Sequence, residues 1–532
     1  MLTAERPFSF PSLPRVSRGF EEHVSEPANA SRDAARLAGR GGRGNGRGGV
    51  KTLALTVALT GTLAACAVGP DYQRPAVDAP ASYRFDDPQA RDTANTAWWA
   101  QFGDAQLDRL IAIALQESKD LMIAAARVEE YYGRYGAQRG QQFPQAELAA
   151  DAGRQRAPQV STPVTPAAAS GTSNFYVVDL GVSFELDLWG RLRRATEAAR
   201  ADLLSVEENR RTVVLSLVSA VATAYVNLLD LDRQLEIARR TAETRADSLR
   251  IFDLRFKGGT ISEMELQQVR SEYEAAVAAI PALEKQVAQQ ENGLSVLIGR
   301  NPGPIARGGT LAKLVLPAVP AGMPSELLER RPDIRQAEQL LIAANARIGV
   351  AKAAFYPSIS LTGLLGTASS GLSNLFTADS RTWTYAGNLS QPIFTGGTLS
   401  GQLAASEAQQ KQALYAYQQA IQIAFGEVAN ALVDQAKTRE QVAAQARQVE
   451  ALGRYAQLAR LRYDNGYTSY IEVLDAERSL FQAQLQLAQT QGQLYFALIN
   501  LYKALGGGWV NEADKLAPRP AVDISKNPPV FP

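Results

Sequence analysis

The chain runs to 532 residues with 20% charged residues and a formal net charge of +1, a balance with no basic surplus for nucleic acid and no acidic surplus for a cationic partner. It holds one cysteine, Cys66, and one histidine, His23. An internal disulfide is therefore excluded, and loss of an N-terminal segment would also exclude imidazole bases, Ser-His-Asp triads and most zinc sites. Carboxylate-only chemistry survives that cut; no cofactor, metal or nucleic acid is called for.

Residues 1–49 are rich in Gly, Arg and Pro, as in Gly39–Arg47, and read as a disordered or wrongly assigned extension ahead of a start at Val50. Residues 50–65 have the layout of a signal peptide: Lys51, the apolar run Leu53–Leu59, then small residues. The ending Leu63-Ala64-Ala65-Cys66 resembles a bacterial lipobox. That resemblance implies cleavage before Cys66, acylation of this residue into a firm membrane anchor, and, with Ala67 following, sorting to the outer membrane. Beyond it we expect no apolar run of about 18 residues and hence no membrane-spanning helix.

From Cys66 onward the sequence is duplicated. Arg255–Leu266 matches Arg462–Val473 at an offset of 207, which also aligns Gly190 with Gly397 and Ile298-Gly299 with Leu505-Gly506. Upstream, Phe143-Pro144 aligns with Tyr356-Pro357 at an offset of 213, so the first copy carries an insertion, assigned to the polar loop Ser161–Ser173. The first repeat covers 66–310 and the second 311–509; residues 510–532, rich in Pro and Lys, form a mobile or wrapping tail. Each repeat reads as a helix, two strands and a long helical hairpin.

In the first copy, Val178–Leu188 alternates apolar and polar residues, the pattern and length of a strand that crosses a membrane. Arg191–Arg255 contains neither Gly nor Pro and as one helix would reach about 98 Å; such a helix survives only by packing along its sides. Gly258-Gly259 turns the chain back, and Pro281 should kink or interrupt the returning helix. In the second copy, Ser358–Thr362 alternates, Trp383–Phe394 less cleanly, and Asn465-Gly466 makes the turn by supplying positive backbone angles. Phe175, Tyr176, Trp189, Phe355, Tyr356, Trp383 and Tyr385 lie near strand ends, where interfacial aromatics belong. Four strands cannot close, lipid tolerates no open sheet edge, and membrane barrels need about eight strands or more, so several chains must pool their strands.

Val68-Gly69-Pro70-Asp71-Tyr72, Trp98-Trp99 with Phe102, Asp104 and Leu107, and Glu329–Ile334 at the opening of the second copy complete the set of motifs. In this order, and with the repeat, the chain resembles the TolC-like outer-membrane efflux factors from Cys66 to about Trp509, specifically the NodT-like lipoprotein branch that serves RND-type multidrug pumps. The resemblance implies a mainly α chain with a small β part, whose four transmembrane strands complete a trimeric, twelve-stranded barrel continued by a periplasmic α-helical barrel. It implies a homotrimer, a periplasmic adaptor protein, an inner-membrane RND-type transporter and outer-membrane lipid as partners, and passive exit of drugs or other small molecules without catalysis.

The resemblance also implies that the hairpin turns, at Gly258, Gly259, Asn465 and Gly466, form a periplasmic tip that closes the duct. Glu472 and Asp475 share a helix face and match positions of acidic constriction rings, which attract cations and resist anions. Glu265 matches an acid that pairs with a tip tyrosine, here Tyr463, and a Tyr463–Glu265 hydrogen bond is expected to help hold the gate shut. The first-copy counterparts of Asp475 and Thr468 are Gln268 and Ile261, so a salt-bridge lock is not expected. The alternative reading is a periplasmic adaptor lipoprotein, which would carry one hairpin rather than two in tandem. A carboxylate enzyme would need paired acids in a cleft.

Overall fold

The computed structural model describes residues 67–78, 80, 83, 97–157, 171–317, 327–506 and 509–529. Cys66, the signal segment, the extension before it and most of the Ser161–Ser173 loop lie outside them. After a short turn of helix at Trp98–Phe102 come α1 (Ala105–Glu117), α2 (Lys119–Gly140), β1 (Gln145–Ala157), β2 (Gly171–Leu186), α3 (Arg191–Lys257) and α4 (Glu263–Leu297). The second half adds α5 (Pro332–Ala353), β3 (Ser358–Ser369), β4 (Arg381–Ser390), α6 (Thr398–Asp464), α7 (Tyr470–Leu505) and α8 (Trp509–Leu516). The protein is mostly helical with one small antiparallel sheet.

The element boundaries repeat. α2 and α5 start and stop 213 residues apart, and so do the first residues of β1 and β3; α3 and α6 start and stop 207 residues apart, as do the starts of α4 and α7. α3 and α6 each have 67 residues, about 100 Å of helix. Each leaves its sheet through a glycine with positive φ, Gly190 at 77° and Gly397 at 88°. Among the described residues only the first has a carboxylate on its exposed amides: Asp187 accepts from the Leu192 and Arg193 N–H groups at 3.1 and 2.8 Å.

The sheet runs in the order β1-β2-β3-β4. Its register lays one row of side chains across all four strands, Leu148, Leu180, Leu365 and Trp383, and beside it Ala146, Val182, Gly363 and Tyr385. The row between these two, on the other face, is Glu147, Gly181, Leu364 and Thr384, and the neighbouring rows there hold Asp179, Ser183, Glu185, Ser360 and Asn388. One face is thus apolar and the other mainly polar. The apolar face is uncovered: Leu148 is 73% exposed, Trp383 65% and Tyr385 78%. β1 and β4 pair on one side only among the described residues. At the base of the sheet the Trp189 indole stacks on Tyr356 at 4.7 Å and donates to the Pro357 carbonyl at 2.8 Å.

Below the sheet the helices pack side by side: α2 on α3, α3 on α5 and α5 on α6. Further down, α3 pairs with α4, α6 with α7, and α3 with α7. The main core gathers around α3 and the Trp98-Trp99 motif, where Trp98 stacks on Tyr502 at 4.8 Å. Asp104 caps α1 and also accepts from the buried Tyr225 hydroxyl at 3.0 Å, tying the motif to α3.

Three expectations change. A stretch apolar enough to span a membrane does follow the N-terminal region: residues 212–229 carry no charge, and an 18-residue window of α3 has mean hydropathy 1.9. It is 61% buried within the chain, so its apolarity builds the core. Pro281 does not interrupt α4, which runs through it. β4 stops at Ser390, before Pro392, because proline has no N–H for the ladder.

Candidate functional site

Both hairpin turns are closed by the same backbone device. Gly259 N–H donates to the Phe256 carbonyl and Thr260 N–H to the Arg255 carbonyl, at 2.9 and 3.0 Å. In the second turn Gly466 and Tyr467 do the same to Tyr463 and Arg462, both at 2.9 Å. This paired closure needs one left-handed residue, supplied by Gly259 (φ 71°) and Gly466 (φ 76°). Gly258 and Asn465 have φ of −82° and −97°. Asn465 therefore does not supply a positive angle; its side chain instead donates to the Leu461 carbonyl at 2.7 Å.

Just above the turns a small apolar cluster joins the two hairpins. It contains Phe252 and Ala459, Leu266 and Val473, and Val269 and Ala476, each pair related by the repeat, together with Tyr470. Phe252 is 1% exposed and meets the Tyr470 ring at 4.2 Å; Tyr463 lies against both, at 6.2 Å from Phe252 and 4.9 Å from Tyr470.

The expected Tyr463–Glu265 bond is absent among the described residues. The Tyr463 hydroxyl accepts from Arg255 at 2.6 Å, and the Arg255 guanidinium lies 5.7 Å from the Tyr463 ring centre. Glu265 is held elsewhere: it accepts from the Ser262 N–H at 2.9 Å while the Ser262 hydroxyl accepts from the Glu265 N–H at 3.3 Å, a reciprocal cap on α4. An acid already fixed on the orphan amides of its own helix is not aimed across the hairpin.

Glu472 and Asp475 sit in the opening turns of α7, and neither is bare. Arg462 donates to Glu472 at 3.4 Å and Arg478 to Asp475 at 2.8 Å. Any acidic ring built from them carries its own arginines. Deeper in, Arg245 of α3 is 4% exposed, pairs with Glu272 of α4 at 3.2 Å and lies 5.3 Å from the Phe481 ring of α7, so one cation holds three helices. It lines a cleft of about 450 Å³ with Arg240, Glu477 and Phe481. Burial pushes the Glu477 carboxyl above its usual range, against the pull of Arg460 and Arg245.

The sequence reading missed Phe252, Arg255, Tyr470 and Arg245. Two signals were present: Arg255 and Arg462 share a repeat position, and bulky Phe252 stands opposite its small counterpart Ala459.

Two hairpins in tandem do not fit the adaptor alternative. The family described as outer membrane efflux protein matches residues 110–300 and 323–507. The chain belongs to that family. The solvent efflux pump outer membrane protein SrpC of Pseudomonas putida is 38% identical over 457 residues, 84% of this chain and 96% of its own length. The cation efflux system protein CusC of Escherichia coli O6:H1 is 37% identical, with the same coverage of both chains. The open-state MtrE outer membrane channel of Neisseria gonorrhoeae superposes with a TM-score of 0.75 at 33% identity, covering 84% of this chain and 99% of its own. This member of the outer membrane efflux protein family is a channel component of a tripartite efflux system and not an enzyme, with a large periplasmic helical part below its outer-membrane strands.

Proposed function

We propose that three copies of this chain form one continuous duct, lipid-anchored in the outer membrane and opened at its periplasmic tip by a periplasmic adaptor and an RND-type transporter. The observation that carries the oligomer is the repeat itself. Within the chain, α3 of the first copy packs on α5 of the second, and β2 pairs with β3. The repeat makes α6 the counterpart of α3 and α2 the counterpart of α5, so the same two surfaces are left over at the far edges, as are β4 and β1. Joining them head to tail repeats a junction the chain already makes, and leaves no sheet edge in lipid. The number three follows the family resemblance.

The lipid anchor of the NodT-like lipoprotein branch has support from the residues after Cys66. The Val68 N–H donates to the Trp189 carbonyl at 2.9 Å, and Ala67 abuts Gly190, both at the base of the sheet beside the Trp189–Tyr356 pair. An acyl chain on the preceding residue would start at the level of the bilayer surface.

The gate on this reading is the cluster of Phe252, Tyr463 and Tyr470 with Arg255, flanked by Glu472 and Asp475. Relatives named for solvents and for cations match this chain over 96% of their own length, which supports a duct that leaves selection to the inner-membrane partner. The test is single-channel recording on the detergent-purified oligomer in a planar bilayer. A cation-preferring pore of low resting conductance is expected, and Arg255→Ala or Tyr463→Phe should raise that conductance. A monomer that passes no current would overturn the duct; unchanged conductance in both variants would remove the gate assignment alone.

A further inference from the structure

The two ends of the described chain lie on corresponding stripes of the two repeats. On the second repeat, Asn345 donates to the Pro70 carbonyl at 2.9 Å. A Cβ on Gly349 would meet the Val68 carbonyl at 2.8 Å, so this glycine lets the N-terminal arm pass. The arm also touches α3: Asp71 pairs with Arg194 at 2.6 Å, and Ala67 abuts Gly190. It therefore straddles the α5–α3 junction, the seam between the repeats.

On the first repeat the position matching Gly349 is Gly136, and there the C-terminal segment passes. A Cβ on Gly136 would meet the Pro528 ring at 3.2 Å. Glu129 accepts from the Ala521 N–H at 2.7 Å, Tyr135 donates to Asn527 at 2.7 Å, and Arg139 donates to the Pro528 carbonyl at 2.5 Å. Ile524 packs against the cluster of Val128, Tyr135 and Leu203. This segment lies beyond the family match, which ends at residue 507.

We propose that residues 517–529 are an inter-subunit clasp, covering the seam between α2 and the α6 of a second copy as the N-terminal arm covers the seam between α5 and α3. The inference rests on the homo-oligomer reading above. On α6 the positions matching Gly190 and Arg194 are Gly397 and Gly401. Among the described residues, a Cβ on Gly401 would meet nothing within 4 Å. Glycine inside a helix is costly, and a close approach by another backbone is one reason to keep it. Among the described residues of a single chain that approach is not made, which leaves the shelf at Gly401 for the clasp of a neighbour.

The test uses the full chain carrying Pro529→Cys and Gly401→Cys together, treated with a short bismaleimide; Cys66 is the only native cysteine. Two- and three-chain species on denaturing gels are expected from the double variant and from neither single variant. A chain ending at Leu516 should form an oligomer that dissociates at a lower temperature than the full-length one. An oligomeric full-length protein that gives no cross-link, and whose truncated form dissociates at the same temperature, would overturn the clasp and leave the duct standing. If the truncated chain fails to fold, the cross-link decides. A monomeric full-length protein would overturn the oligomer reading and the clasp with it.

Discussion

α3 and α6 have the same length, the same entry glycine and the same turn at their far end, yet 30 of the 67 residues of α3 are buried and only 7 of the 67 in α6. What they share is one face: Val214 and Ile421, Val221 and Val428, and Tyr225 and Leu432 are matching positions, buried in both copies. What they do not share is the rest of the surface. Leu228, Leu231 and Asp230 of α3 are buried, while their counterparts on α6 are Gln435, Thr438 and Lys437. α3 lies inside the chain with α2, α5, α4 and α7 around it; among the described residues α6 packs along α5 and α7 and reaches α3 near the tip, where Tyr463 meets Arg255 and Phe252. The duplication fixes backbone length and turns, and the degree of covering decides composition. Copy one became the core of the subunit and copy two its edge.

The strongest way to break this comparison is at the tip, where the copies meet unequally. Phe252 fills the space that its small counterpart Ala459 leaves open. Phe252→Ala should remove about 3–5 kcal/mol of local packing and release both Tyr463 and Tyr470. We expect amide exchange to accelerate in the last turns of both α3 and α6 and bilayer conductance to rise. Exchange confined to the first hairpin would show that the two tips open independently.

The offsets of 207 and 213 made the hairpins legible, because glycine turns and an absence of helix breakers are local features. The alternation in β2 was legible for the same reason. β1 was expected from the two strands of each repeat but could not be located by alternation, since its apolar face is Ala146, Leu148, Ala150 and Ala152, and alanine carries little strand signal. The buried span of α3 was overlooked because Ser, Thr and Asn are scattered through it. The cap at Ser262 and Glu265 was written in the sequence as Ser-x-x-Glu, and reading it would have removed the Tyr463–Glu265 bond from the expected gate. Arg255 on Tyr463 and Arg245 on Phe481 join different hairpins, and no local pattern announces which long-range partner a cation meets.

A second, smaller effect separates the middles of the two helices. Asp230 is buried against Gly492 of α7. One carboxylate oxygen accepts from Gln234 at 2.9 Å and the other has no partner among the described residues. Burial pushes its pKa up to about 6. A carboxyl with a raised folded-state pKa binds its proton more tightly when folded, so its stabilising contribution is full below about pH 4 and is lost as the pH rises through about 6. Two pH units correspond to about 3 kcal/mol. Asp230→Asn should therefore stabilise the protein near neutral pH and flatten the fall in stability between pH 4 and pH 7, measured as thermal unfolding in detergent against the wild type. Lys437→Met, at the exposed counterpart, should leave that slope unchanged. An unaltered slope in Asp230→Asn would place the pH dependence with other buried acids such as Glu208 and Glu477.

The smallest contrast lies at the start of the returning helices. Ser262 and Ser469 occupy matching N-cap positions with the same extended backbone, ψ 155° and 158°. The Ser262 hydroxyl accepts from the Glu265 N–H within the reciprocal cap, whereas Ser469 makes no side-chain cap. In the second copy the matching acid, Glu472, faces Arg462 instead. Ser262→Ala should then cost about 1 kcal/mol, read as faster amide exchange in the first turn of α4, and Ser469→Ala should cost close to nothing in α7. Equal costs would mean that the second cap forms in solution and that the Arg462–Glu472 pair is too weak to hold the acid away from it, as expected for an exposed ion pair worth about 0–1 kcal/mol. A difference near 1 kcal/mol would mean that a single exposed arginine has redirected Glu472 from capping its own helix to bridging the two arms of its hairpin.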